Sequence, residues 1–159
     1  MNKFKILILT LIVAAGINAY ASTPIPTNIN RQVIATTQNY ATVNPLSVVA
    51  HPSAYLNKNI KIRAKFDKFS TLGLDYKPAL RSSENYISFL IQRPDILDHN
   101  IPLSELKIFL NRDEAEKYID LNSGDVIEFS GRVFSTALGD PWMDATNFTV
   151  ISSKPKTDK

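Results

Sequence analysis

Hydrophobic and polar residues alternate most cleanly between Ile60 and Asp67. Ile60, Ile62, Ala64 and Phe66 share one parity, and Lys61, Arg63, Lys65 and Asp67 share the other. A period of two predicts a β-strand with one face on a core and one face toward water. The same pattern recurs at Tyr86–Gln92, with Ile87, Phe89 and Ile91 inward, and at Leu106–Leu110, with Leu106, Ile108 and Leu110 inward. A fourth strand sets Ile127, Phe129, Gly131 and Val133 against Glu128, Ser130 and Arg132, and a fifth runs over Thr146–Ile151 with Phe148 and Val150 inward. Gly131 inside a strand predicts a bulge or a bend. Between the third and fourth strands, Asp113–Leu121 predicts a short helix. Its first turn carries Asp113, Glu114 and Glu116, where the helix dipole favours anions, and Gly124 suits its end. A helical turn at Pro45–Ala50 is predicted from Asn44 as cap and Pro45 at its first position. Residues 70–84, 95–104 and 135–144 read as loops.

Three strands, a short helix and two more strands are the element order of the OB-fold, a five-stranded Greek-key barrel. The expected fold class is therefore mainly β: an OB-like barrel over residues 45–152, preceded by a helical or extended N-terminal segment. Residues 153–159 read as a flexible tail. Residues 22–44 read as an extension, started by Pro24 and Pro26 and carrying Arg31 as their one charge. Met1–Ala21 reads as a secretory signal peptide: Lys3 and Lys5, an apolar run from Ile6 to Ile17, then Ala19-Tyr20-Ala21 as a small-x-small cleavage pattern. The apolar run falls short of the ~20 residues that span a bilayer. The alternative is an uncleaved anchor. Cleavage predicts an exported protein, periplasmic or secreted, with no stable membrane insertion.

The 159 residues fit one domain, and 44% hydrophobic with 21% charged residues exclude a disordered chain or a multi-pass membrane protein. With no cysteine, disulfides, thiol catalysis and Cys-ligated zinc are excluded. Loss of Lys3 and Lys5 lowers the net charge from +3 to +1, so a globally basic nucleic-acid binder is not supported. Charge is nevertheless uneven. Residues 58–93 carry a net +5, and residues 94–144 a net −7.

Three stretches carry a family resemblance: Tyr55-Leu56-Asn57-Lys58-Asn59-Ile60-Lys61-Ile62, Gly124-Asp125-Val126-Ile127-Glu128-Phe129-Ser130-Gly131-Arg132-Val133, and the signal peptide. In these the chain resembles small exported bacterial OB-fold proteins and anticodon-binding-type OB domains. The resemblance implies a fold and a binding role, and it carries over no active-site residue. Staphylococcal-type nucleases share the barrel, the size and the lack of cysteine. Their carboxylate cluster beside paired arginines has no counterpart here, since Arg81 and Arg93 have only Glu84 between them.

Chemistry is sparse. His51 and His99 stand 48 positions apart, no Gly-x-Ser-x-Gly elbow occurs, and the five glycines form no phosphate loop. Asp140 and Asp144 bracket Trp142 as a conceivable acid pair or calcium site, or simply a turn. No catalytic residue, metal or cofactor is expected, and the chain reads as a non-enzymatic binding module.

OB-folds bind ligands on the outer face of strands two and three and the adjoining loops. Here that face carries Tyr86, Leu90, Lys107 and Phe109, and Trp142 either plugs the barrel or meets the ligand. An exposed apolar set predicts a cover. Residues 31–50, with Val33, Ile34, Tyr40 and Val43, are one candidate, and a ligand is the other. Beside it lie Lys61, Arg63, Lys65, Lys77 and Arg81. Either these pair with the acidic half across the barrel, or they form a basic groove with Tyr76, Tyr86 and Phe109 as stacking platforms for a polyanion such as single-stranded nucleic acid or an oligosaccharide. Three such contacts predict roughly a twentyfold loss of affinity between about 50 and 200 mM salt. The other partner considered is an envelope protein, with the module as an adaptor.

Overall fold

The computed structural model describes residues 40–97 and 99–153. The signal peptide, residues 22–39 of the extension and residues 154–159 of the tail lie outside the described residues. No described helix is long and apolar enough to cross a membrane.

The chain folds as an OB barrel. After a two-residue strand β1 (Ala41–Thr42) and helices α1 (Pro45–Ala50) and α2 (Pro52–Tyr55) come five barrel strands: β2 (Asn59–Ser70), β3 (Tyr86–Ile91), β4 (Lys107–Asn111), β5 (Val126–Ser135) and β6 (Trp142–Ser152). The order is β2-β3-β4-β6-β5, closed by pairing of β5 with β2. All contacts are antiparallel except β4 with β6. Helix α3 (Arg112–Ala115), continued by a 3-10 turn at Glu116–Tyr118, joins β4 to β5. It is shorter than the predicted Asp113–Leu121. The Tyr118 hydroxyl donates to the Phe148 carbonyl (2.8 Å), which ties this turn to β6.

The alternation in β2 survives intact. Ile60, Ile62 and Phe66 are buried, whereas Arg63 and Lys65 are exposed and Lys61 half-buried. Inside the barrel, Phe89 meets Phe129 (5.1 Å) and Phe148 (5.3 Å) edge-on, a favoured aromatic geometry. Helix α1 sends Val48 into this core. Its start is set by Asn44, whose side chain accepts from the Leu46 N–H (2.9 Å), with Pro45 next. Asn44→Ala is expected to cost about 1 kcal/mol in a denaturant titration, the usual value of a helix cap.

At Gly131, β5 passes close against the backbone of β6. The register shifts between Ser130 and Gly131, and a Cβ there would lie 1.7 Å from the Asp144 carbonyl oxygen. The bulge expected from the sequence thus has a steric cause. Strand β6 begins at Trp142, four residues before the expected Thr146, because Trp142–Ala145 pair with β4. Strand β1, which runs parallel to Ile60 and Lys61, has no sequence signature at two residues.

Candidate ligand-binding surfaces

The outer face of β3 and β4 is not open. Phe109 is 0% exposed and Trp142 1%. Their rings stack at 5.7 Å, and Tyr76 stacks on the other side of Trp142 at 5.3 Å. The covering segment is the β2–β3 connection. Leu74, Tyr76 and Ala79 pack with Phe109, Trp142, Tyr86, Phe134 and Ala137 in a second apolar cluster outside the barrel. Gly73, with φ +84, adjoins this stack, and an added Cβ would come within 3.1 Å of both Phe109 and Trp142. The Trp142 indole N–H donates to the Ala137 carbonyl (2.7 Å).

Two expectations are corrected here. Phe109 is not an available platform, because the loop buries it, and Trp142 does not stand exposed for a ligand, because it is buried in the same cluster. Of residues 31–50, Val43, Leu46, Val48 and Val49 pack on the main core and not on this face, and residues 31–39 lie outside the described residues. The β2–β3 loop covers the face. The loop does so because it is anchored at both ends of the patch. Tyr76 anchors one end. At the other, Arg81 donates through Nε to Asp144 Oδ1 (2.6 Å) and through a terminal nitrogen to Oδ2, with its Cζ 3.7 Å from the Phe134 ring centre. The bonds to Asp144 push the Arg81 pKa upward from the ordinary guanidinium value, outweighing burial. Arg81 is therefore a clamp, not a free ligand contact, and Tyr86 sits half-buried beneath it. A double-mutant cycle over Arg81→Ala and Asp144→Ala is expected to give a coupling of about 1–2 kcal/mol, as for a charged, partly buried hydrogen-bonded pair.

Other cations are also engaged. Lys61 pairs with Glu128 across β2 and β5 (3.1 Å). Lys107 holds Asp140 (2.7 Å) and the Ser104 carbonyl. Basic and acidic halves thus pair across the barrel at Lys61 and Arg81. With Asp140 on Lys107 and Asp144 on Arg81, the two carboxylates beside Trp142 form no acid pair. Among the described residues no three His, Asp or Glu side chains converge.

Three sequence candidates stay exposed with no ion pair among the described residues: Lys77, Arg63 and Lys65. Lys77 is on the covering loop. Arg63 stands opposite Glu128 in the ladder, whose carboxylate goes to Lys61 instead. Arg63 and Lys65 border a groove of about 470 Å³ that the sequence did not reveal. Its apolar lining comes from Val43, Pro45, Ala64, Pro94, Ile96 and Val126. Its polar lining includes Arg93, which Asp95 (3.2 Å) and Glu105 (2.7 Å) fix in place. A concave, mostly apolar site of this volume with a few polar groups is the usual form of a binding pocket.

No family model and no curated protein matches the chain. Among solved structures it is similar to a protein assigned as an aspartyl-tRNA synthetase from Leishmania major Friedlin, at 9% identity and TM-score 0.49, over 78% of this chain and 23% of that one. It is also similar to asparaginyl-tRNA synthetase from Pyrococcus horikoshii (12% identity, TM-score 0.43, 64% and 20%). A third is the mitochondrial single-stranded DNA binding protein Rim1 from S. cerevisiae (10% identity, TM-score 0.42, 62% and 97%). The chain spans less than a quarter of the length of the two synthetases.

Proposed function

We propose that the protein is an exported, non-enzymatic OB-fold binding module that takes an anionic ligand in the groove beside β2. The observation that carries this reading is the pair Arg63 and Lys65. Both are exposed, unmatched by an acid among the described residues, and set on one face at the mouth of an apolar-lined groove. Two free cations spaced along a strand select a ligand with repeated negative charge. Export rests on the Met1–Ala21 pattern alone.

Fluorescence anisotropy with labelled hexaglutamate and a labelled oligothymidylate tests the reading. With two contacts rather than three, the affinity of a bound single strand is expected to fall about sevenfold between about 50 and 200 mM salt. The double variant Arg63→Gln, Lys65→Gln is expected to lose binding at least tenfold with its melting temperature unchanged. Absence of binding by either probe, or binding that ignores both substitutions, refutes the proposal.

A further inference from the structure

Among the described residues, the groove coincides with a gap between β1 and β3 along one edge of β2. On that edge the Lys61 carbonyl accepts from Val43 N–H (2.9 Å), and the Lys65 carbonyl accepts from Gln92 N–H (2.8 Å). Backbone groups alternate sides along a strand. Arg63 therefore points its N–H and C=O the same way as Lys61 and Lys65, between the two flanking segments. Neither segment reaches it. Strand β1 ends where Asn44 and Pro45 start α1, and the chain beyond β3 turns away at Pro94 after Gln92 pairs with Pro102. From Lys61 to Lys65 the interruption is about 13 Å long, room for roughly three extended residues.

The side chains around it impose a pattern. Arg63 and Lys65 lie outside, about 6.6 Å apart along the strand. Ala64, between them, faces inward and is only half-buried, beside Val43 and Val126. A strand laid along this edge meets a cation, an apolar hollow and a second cation in turn.

We infer that the groove receives a short extended segment of an acidic protein partner, with Asp or Glu at alternate positions and an apolar residue between them, which completes the sheet edge at Arg63. Addition of a strand to an open edge draws affinity from main-chain hydrogen bonds and specificity from alternate side chains. Residues 22–44 of this chain, which lead into β1, contain no Asp or Glu and so do not supply such a segment. The inference rests on the anionic-ligand reading above and narrows it to a peptide.

The test uses the full chain with the labelled peptide Thr-Glu-Val-Glu-Thr, blocked at both ends, and two N-methylated forms, one methylated at both glutamates and one at the valine. N-methylation removes the donor while leaving the charge. The parent peptide is expected to bind in a salt-sensitive way. At least one methylated form is expected to bind tenfold or more weakly, and Arg63→Gln and Lys65→Gln are each expected to weaken the parent severalfold. If both methylated forms bind like the parent, or only oligothymidylate binds, the strand is refuted while the anionic groove stands. If no anionic probe binds, both readings fall.

Discussion

Gly131→Ala is expected to destabilise the barrel by about 4 kcal/mol or more, at the severe end for a single substitution. The added methyl has nowhere to go. It would lie 1.7 Å from the Asp144 carbonyl oxygen and 2.8 Å from its carbon, and both belong to the backbone of β6. Relief requires β5 and β6 to separate, and that breaks the ladder that joins them in the barrel. With a urea dependence of about 1.5 kcal/mol per molar, the unfolding midpoint falls by more than about 2 M, or the variant does not fold. Gly139→Ala is the control. It has a positive φ of +80 and nothing within 4 Å of the added atom, so only left-handed backbone strain of about 1–2 kcal/mol applies. Equal costs at the two positions would contradict the close crossing.

Trp142→Ala is the second large effect, expected at about 3–5 kcal/mol, as for other large-to-small changes at fully buried aromatics. It removes the centre of the Tyr76–Trp142–Phe109 stack and the bond to the Ala137 carbonyl. The consequence is local as well as global. Amides of residues 71–85 are expected to exchange faster relative to those of β2, because the loop loses the surface it lies on. Trp142→Phe retains a ring and should restore most of the protection. Since Trp142 is the single tryptophan, its fluorescence in the unaltered protein reports this site alone. Emission from an apolar environment and weak quenching by acrylamide are expected. Strong quenching would mean the face is open.

How much of this was legible in the sequence depends on how many faces of each strand are covered. In β2 one face is wet, so the alternation of Ile60, Ile62 and Phe66 with Lys61, Arg63 and Lys65 is plain. Gly131 was readable for the same reason, as a glycine inside an alternating run. In β6 both faces are covered at the start: Met143 enters the main core while Trp142 joins the outer cluster. Two-sided burial removes the polar half of the pattern, and Pro141 just before made the segment look like a loop. Phe109 between Ile108 and Leu110 is a similar case. Parity correctly set it on the outer face. Parity does not say that Leu74, Tyr76 and Ala79, thirty or more positions away, would cover it.

Excess base in one half and acid in the other suggested pairing, and Arg81 does find Asp144 across 63 positions. Which cations would be left over was not readable, since Lys61 and Arg63 both face the Glu128 region and one carboxylate serves only Lys61. The groove was hidden for a related reason. Its walls come from residues 42–45, 63–65, 92–94, 96, 97, 100 and 126, which share no local pattern.

A map of backbone amide shifts on adding hexaglutamate shows whether ligand recognition belongs to the β2 edge or to the loop-covered outer face. The largest changes are expected at Arg63, Ala64, Lys65 and Gln92, with Tyr86, Phe109 and Trp142 unmoved. Changes concentrated at Tyr76, Tyr86, Phe109 and Trp142 would contradict it.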